Sequence, residues 1–211
     1  MEPDWLAGAR RLNALAQTGL TFAENPYDIE RYTAIRTIAA EMIARGMGAD
    51  AGRVLDLFAC DAGYATPKVD VRGVVFRDGK ILLVQERSDG LWTLSGGGAD
   101  VGDSPADAIV REIREESGFE TRATKLLALL DRNRHGHPPH LNHIYKVFLR
   151  CEFVGGSPSS GTGAASLASV CQGGRRPRRG PVSARRPAIL ERGLRPVIAS
   201  PHSPYDVTLG P

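Results

Sequence analysis

The stretch that decides the fold runs from Gly97 to Phe119 and reads GGADVGDSPADAIVREIREESGF. It opens on glycines, starts a helix, and then places three glutamates among the six residues from Arg111 to Glu116. Asp107 to Glu116 reads as the helix body. Ser104 suits the N-cap, where its side-chain oxygen can accept from the first turn, with Pro105 at the first helical position and Asp107 at the third. Gly118, just past Ser117, marks the stop. Ala106, Ile109, Val110 and Ile113 recur at helical spacing and supply the apolar face.

On the other face Glu112 and Glu116 stand one turn apart, and Glu115 is three residues from Glu112. Carboxylates this close repel one another, so stability alone is a poor reason to group them. A hard divalent cation such as Mg²⁺ or Mn²⁺ would offset the repulsion, because it prefers oxygen ligands and retains waters and phosphate oxygens. Arg111 and Arg114 can balance part of the charge. The plain alternative is a solvated glutamate-rich face, and spacing alone leaves both open.

The order of residues resembles the motif of the Nudix hydrolases: a glycine, five residues, a glutamate, seven residues, then Arg-Glu-aliphatic-x-Glu-Glu-x-Gly-aliphatic. Gly97, Arg111, Glu112, Ile113, Glu115, Glu116, Gly118 and Phe119 fall in register, with an aromatic Phe119 where an aliphatic residue is usual. The resemblance implies that Glu112, Glu115 and Glu116 hold Mg²⁺ or Mn²⁺ and that Arg111 orients them. It makes Gly96, Gly97 and Gly118 structural glycines. Asp103 stands where the first glutamate is expected and would reach Arg111 with one methylene fewer. Ser95 and Gly98 depart from the usual proline before the glycine pair and bulky residue after it, which predicts a looser loop there.

Composition sets the outer bounds. The 211 residues are 42% apolar, enough for one domain of ordinary size and an accessory segment. The net charge of +3 is unevenly spread: residues 1–154 carry −3 and residues 155–211 carry +6. Cys60, Cys151 and Cys171 are too few and too scattered for a disulfide framework or a zinc pattern. With no long apolar run and no signal-peptide core, a soluble cytoplasmic protein without membrane contact is the default.

Taken in order, residues 4–18 form a short helical candidate that Gly19 can stop. A longer one runs from Pro26 or Tyr27 to Ala44, ended by Gly46 and Gly48. The connector after it, Gly46 to Thr66, has room for another helical turn. Residues 1–62 thus make a small helical extension whose apolar stripe needs a partner, either the rest of the chain or a second subunit; we expect a homodimer. It resembles the extension of a Nudix subgroup that acts on nucleoside diphosphates linked to another moiety.

From Lys68 the pattern changes to strands: Val69 to Phe76, a turn at Asp78-Gly79, and Lys80 to Gln85 as the hairpin mate. Ser88-Asp89-Gly90 turns the chain into Leu91–Leu94, where Trp92 reads as a core or hinge residue. Ala123–Leu130 and Leu141–Phe153 supply further strands. Residues 66–155 therefore predict an α/β class domain, and the resemblance implies a Nudix-like α/β/α sandwich with a mixed sheet.

Between the last two strands lies DRNRHGHPPHLNH, residues 131–143. Pro138 and Pro139 interrupt its histidines and no cysteine is near, which argues against zinc. Arg132, Arg134, His143 and Tyr145 are candidate substrate contacts, since such side chains bind diphosphate oxygens. The alternative is an exposed hairpin loop. Residues 156–211 form a basic, low-complexity stretch. Gly, Ser and Pro make up 25 of the last 57 residues, a composition that fits either a disordered tail or a shifted reading frame. Its arginine run, 175–179, lacks interleaved aromatics, so nucleic acid is not the expected partner.

These readings point to metal-dependent hydrolysis of the diphosphate bond in a nucleoside diphosphate derivative such as ADP-ribose or a nucleotide sugar. The alternatives are a non-catalytic nucleotide-sensing module and a dimeric interaction protein. The substrate expectation rests on the resemblance alone.

Overall fold

The computed structural model describes residues 2–86, 90–135, 137–158 and 164–169, the last six as backbone. The chain divides into two compact units, one of residues 1–68 and 131–145 and the other of residues 69–130 and 146 onward.

The first unit is helical, with α1 (Asp4–Phe22), α2 (Pro26–Met47) and α3 (Ala51–Ala59). Asn25 caps α2 by accepting from Tyr27 N, and Asp50 caps α3 by accepting from Arg53 N. Gly19 does not stop α1, which continues to Phe22. A side chain there would have its Cβ 2.5 Å from the Tyr32 ring, so this glycine permits close helix packing. Gly46 likewise lies inside α2, where a Cβ would sit 2.3 Å from the Trp5 indole, and Gly48 alone caps the helix at φ +66°. The pairs Gly19–Tyr32 and Trp5–Gly46 require α1 and α2 to run antiparallel. Leu6, Ala9, Ala39, Ala40, Ile43, Val54 and Phe58 form the core, with Leu141 packed against it. The connector is more helical than expected, because Val54, Leu55 and Phe58 share one face.

The second unit is an α/β fold around one mixed sheet, as the pattern predicts. Its elements are β1 (Lys68–Arg77), β2 (Lys80–Gln85), β3 (Trp92–Thr93), α4 (Pro105–Ser117), β4 (Phe119–Asp131), β5 (Ile144–Gly156) and β6 (Ala164–Ser169). Among the described residues the strand order is β3-β2-β1-β5-β4, with β6 also paired to β2. Asp78 and Gly79, at φ +51° and +70°, make the two-residue turn of the β1–β2 hairpin. α4 matches expectation at both ends: Ser104 Oγ accepts from Asp107 N, and Gly118 closes the helix at φ +76°. Ala108, Ile109 and Ile113 bury against Val71, Val75, Leu82, Val147 and Leu149, so Ala108 rather than Ala106 faces the core.

Strand β6 falls where composition places only a tail. It pairs antiparallel with β2 from Lys80↔Ser169 to Gln85↔Ala164. Its sequence, Ala-Ala-Ser-Leu-Ala-Ser, has little strand propensity, and its pairing rests on backbone hydrogen bonds to an edge that β2 offers. The remaining tail, including Cys171 and the arginine run at 175–179, lies outside the described residues, as do Ser88 and Asp89. No helix among the described residues is long and apolar enough to cross a membrane.

Candidate active site

Residues Ser95–Ala99 run antiparallel beside β1 as an irregular extra rung. Ser95 O accepts from Gly73 N at 2.9 Å, Gly97 O accepts from Val71 N at 2.8 Å, and Ala99 N donates to Val69 O at 3.1 Å. The loop predicted to be loose is therefore tied to the sheet at three points. Gly96 has φ +141°, and a Cβ there would lie 2.0 Å from Val71 O, so only glycine fits. The bulky residue absent at Gly98 leaves open space, with nothing within 4 Å of a Cβ.

Helix α4 brings its carboxylates to this loop. Glu116 Oε2 accepts from Ser95 Oγ at 2.6 Å and from Gly96 N at 3.0 Å. The Glu112 carboxylate rests on the next residue, 3.2 Å from where a Gly97 Cβ would be. Burial, followed by the charge of Glu116, holds the Glu112 carboxyl above its ordinary range, against the lowering effect of Arg111. Glu115 is turned outward, half exposed, with its Oε2 3.6 Å from Arg111 Nη1. Among the described residues no three His, Cys, Asp or Glu side chains converge on one point, so a divalent ion here would rest on two carboxylates with water or substrate oxygens. Glu112 and Glu116 thus share the loop, while Glu115 leans on the arginine.

Arg111 sits among four acids. Its Nη2 donates to Asp100 at 2.8 Å and to Asp103 at 3.2 Å, its Nε donates to Asp103 at 3.3 Å, and its Nη1 donates to Glu112 at 3.3 Å. The Asp103 contacts are longer than an ideal charge-assisted bond, in keeping with the missing methylene, and Asp100 makes the shortest contact. Sequence reasoning missed Asp100, whose position in a glycine-rich loop carries no pattern. It also missed a charged pair beneath the loop. Arg72 grips Asp70 at 2.7 and 3.0 Å and donates to Leu94 O at 3.2 Å, while Lys146 Nζ lies 3.6 Å from Asp70. Burial pulls the Arg72 guanidinium down, but the Asp70 bond and the charges of Asp70, Glu116 and Glu86 outweigh it. The available signal was Asp70 and Arg72 two apart in a strand, hence on one face.

The proposed substrate contacts fall in the helical unit. Arg132 donates to Pro138 O at 2.9 Å, and Arg134 Nε lies 3.6 Å from Asp131 with its side chain largely exposed. His143 Nε2 is 3.3 Å from Asp131 Oδ1, and its ring meets Tyr145 edge to face at 5.1 Å. Arg10 donates to His140 O and Asn142 O, at 3.3 and 3.4 Å, which fixes the loop on α1.

A glycine loop braced on a strand and carrying the acids of the following helix defines a class of hydrolase. Residues 66–165 match the NUDIX domain, and residues 3–58 match a domain described as "UDP-X-like, N-terminal oligomerisation domain". The "Putative ADP-ribose pyrophosphatase YjhB" of Bacillus subtilis (strain 168) is 45% identical over 161 residues, spanning 76% of this chain and 77% of that protein. The chain belongs to the Nudix hydrolase family. Among solved structures, a UDP-X diphosphatase is 32% identical with a TM-score of 0.48, covering 79% of this chain and 82% of the other. An ADP-ribose pyrophosphatase of Streptococcus suis 89-1591 is 39% identical with a TM-score of 0.45, covering 50% and 75%.

Proposed function

We propose that the protein hydrolyses the diphosphate bond of a nucleoside diphosphate linked to another moiety, ADP-ribose foremost, with Mg²⁺ or Mn²⁺ as its cofactor. The observation that carries this is the placing of two carboxylates, from successive turns of α4, on consecutive residues of one braced glycine loop. The name of the Bacillus subtilis relative, "Putative ADP-ribose pyrophosphatase YjhB", supports the substrate class.

Glu112 and Glu116 offer hard oxygen ligands, and a Glu112 carboxyl raised first by burial and then by the charge of Glu116 suits a divalent cation. Such an ion, when bound, offsets charge developing on the diphosphate oxygens and acidifies a water. Glu112 and Glu116 would hold it. Arg111 keeps four acids compatible and sets the direction of Glu112. Glu115, half exposed beside Arg111, is proposed to take the proton of the attacking water. The water oxygen bonds to one phosphorus, and the bond from that phosphorus to the bridging oxygen breaks. Its electron pair leaves with the second phosphate, yielding a nucleoside monophosphate and a phosphorylated second moiety.

Arg132, Arg134, His143 and Tyr145 are proposed as substrate contacts on the chemistry of their donors. The helical extension is proposed to pair with a second copy of the chain. Leu15, Phe22, Tyr27, Ile38 and Met47 all lie exposed on α1 and α2, and the matched domain is described as one of oligomerisation. Light scattering on the purified chain checks the pairing.

A panel of ADP-ribose, nucleotide sugars and choline-linked diphosphates with Mg²⁺ or Mn²⁺ tests the activity. ADP-ribose is expected to give AMP and ribose 5-phosphate, and Glu116→Gln is expected to lower the rate by at least about a hundredfold, since even outer-shell changes at metal sites cost about 10- to 100-fold. No metal-dependent product from any member would overturn the reading.

A further inference from the structure

Glu116 is not free to choose its orientation. Ser95 is fully buried, and its hydroxyl donates to Glu116 Oε2 at 2.6 Å, the short distance of an O–H···O⁻ bond. The backbone N–H of Gly96 donates to the same oxygen at 3.0 Å. One donor is a backbone group, and the other is a fully buried hydroxyl on a short side chain. Ser95 O is bonded to Gly73 N, Gly97 O to Val71 N, and Leu94 O, one residue earlier, to the Arg72 guanidinium. The sheet therefore fixes the backbone that carries both donors, and two donors match the acceptor capacity of one carboxylate oxygen.

We propose that Ser95 is a positioning residue that makes Glu116 a one-oxygen metal ligand, saturating Oε2 and presenting Oε1. This rests on the reading that Glu116 holds the metal. A carboxylate turns easily about its last torsion. With alanine or proline at 95 only the Gly96 N–H would restrain it, and metal binding would then have to order the group. Arg72 supports the same arrangement through Leu94 O, one step further from the carboxylate.

Binding of Mn²⁺ to the full chain, followed by the electron-spin-resonance signal of the free ion, tests this without turnover. Ser95→Ala is expected to weaken Mn²⁺ binding by about tenfold, within the roughly 10- to 100-fold range of outer-shell changes. Its melting temperature should stay close to that of the unsubstituted chain. Ser95→Thr keeps the hydroxyl and should restore affinity to within about threefold; urea titration identifies any fold damage from its extra methyl. In turnover, Ser95→Ala should need about tenfold more metal for half-maximal rate, while kcat at saturating metal recovers. Mn²⁺ binding by Ser95→Ala within twofold of the unsubstituted chain, or tighter, would overturn the inference and leave the metal reading standing. So would a loss of affinity that merely tracks lost stability. No Mn²⁺ uptake by the unsubstituted chain would bring down both.

Discussion

Gly96→Ala probes the junction of strand, loop and helix. A methyl at this position would sit 2.0 Å from Val71 O and 2.9 Å from Val71 C, at a φ of +141° that L residues rarely adopt. Holding alanine in such a conformation costs about 1–3 kcal/mol. The clash is with backbone, so relief requires the loop to leave β1. That move breaks the bonds from Val71 N to Gly97 O and from Gly73 N to Ser95 O, each contributing about 1 kcal/mol. Together these effects come to about 3–5 kcal/mol, a large part of the roughly 5–15 kcal/mol that stabilises a typical domain. Urea unfolding followed by tryptophan fluorescence reads it, since Trp92 lies in β3 beside the loop. Gly98→Ala is the control, with nothing within 4 Å of its Cβ, and should stay within about 0.5 kcal/mol. The reasoning fails if Gly96→Ala unfolds within about 1 kcal/mol of the unsubstituted chain, or if the two variants behave alike.

Three further outcomes are expected. Asp103→Glu should shorten the contacts to Arg111 and raise kcat/KM slightly, by no more than about threefold. Asp103→Ala should lower it by less than about tenfold, because Asp100 still holds the guanidinium and an outer-shell loss costs about 10- to 100-fold only when nothing replaces it; steady-state kinetics on ADP-ribose checks both. Glu112 binds its proton more tightly folded than unfolded. In metal-free protein its contribution to stability is therefore intact below the ordinary carboxyl range and lost as pH rises through the raised folded value. Metal-free Glu112→Gln should accordingly be the more stable protein at neutral pH, with the gap closing on acidification, and added Mg²⁺ should raise the melting temperature of the unsubstituted chain only; calorimetry from pH 4 to 8 reads both. Ile109→Ala removes a fully buried side chain packed beneath the sheet, and urea titration should show a loss of about 2–5 kcal/mol.

Much of this was legible because local chemistry and tertiary demand agree at α4. Ser104, Pro105 and Gly118 each carry a single-position signal, and each does in the structure what its chemistry suggests. The hairpin was equally readable, since Asp78-Gly79 is a turn that needs positive φ at both residues. Gly19 and Gly46 misled for one reason: a glycine that stops a helix and one that lets a neighbouring ring approach look alike until the neighbour is known. At the site the acids were visible and their supports were not. Ser95 and Asp100 act through partners distant in sequence, at separations no periodicity reveals, and the Asp70–Arg72 pair, though two apart on β1, reaches the loop through the distant Leu94. Ser95 was read as a departure that loosens the loop, yet it bonds the glutamate the loop receives.

The interlocking of α1 and α2 has a mechanical consequence. Tyr32 fills the notch at Gly19 and Trp5 the notch at Gly46, near opposite ends of the pair. Sliding one rod along the other would drive both rings into neighbouring side chains at once, so the pair resists shear like a key engaged at two wards. A subunit that docks on those rods would meet a surface whose contour is already set.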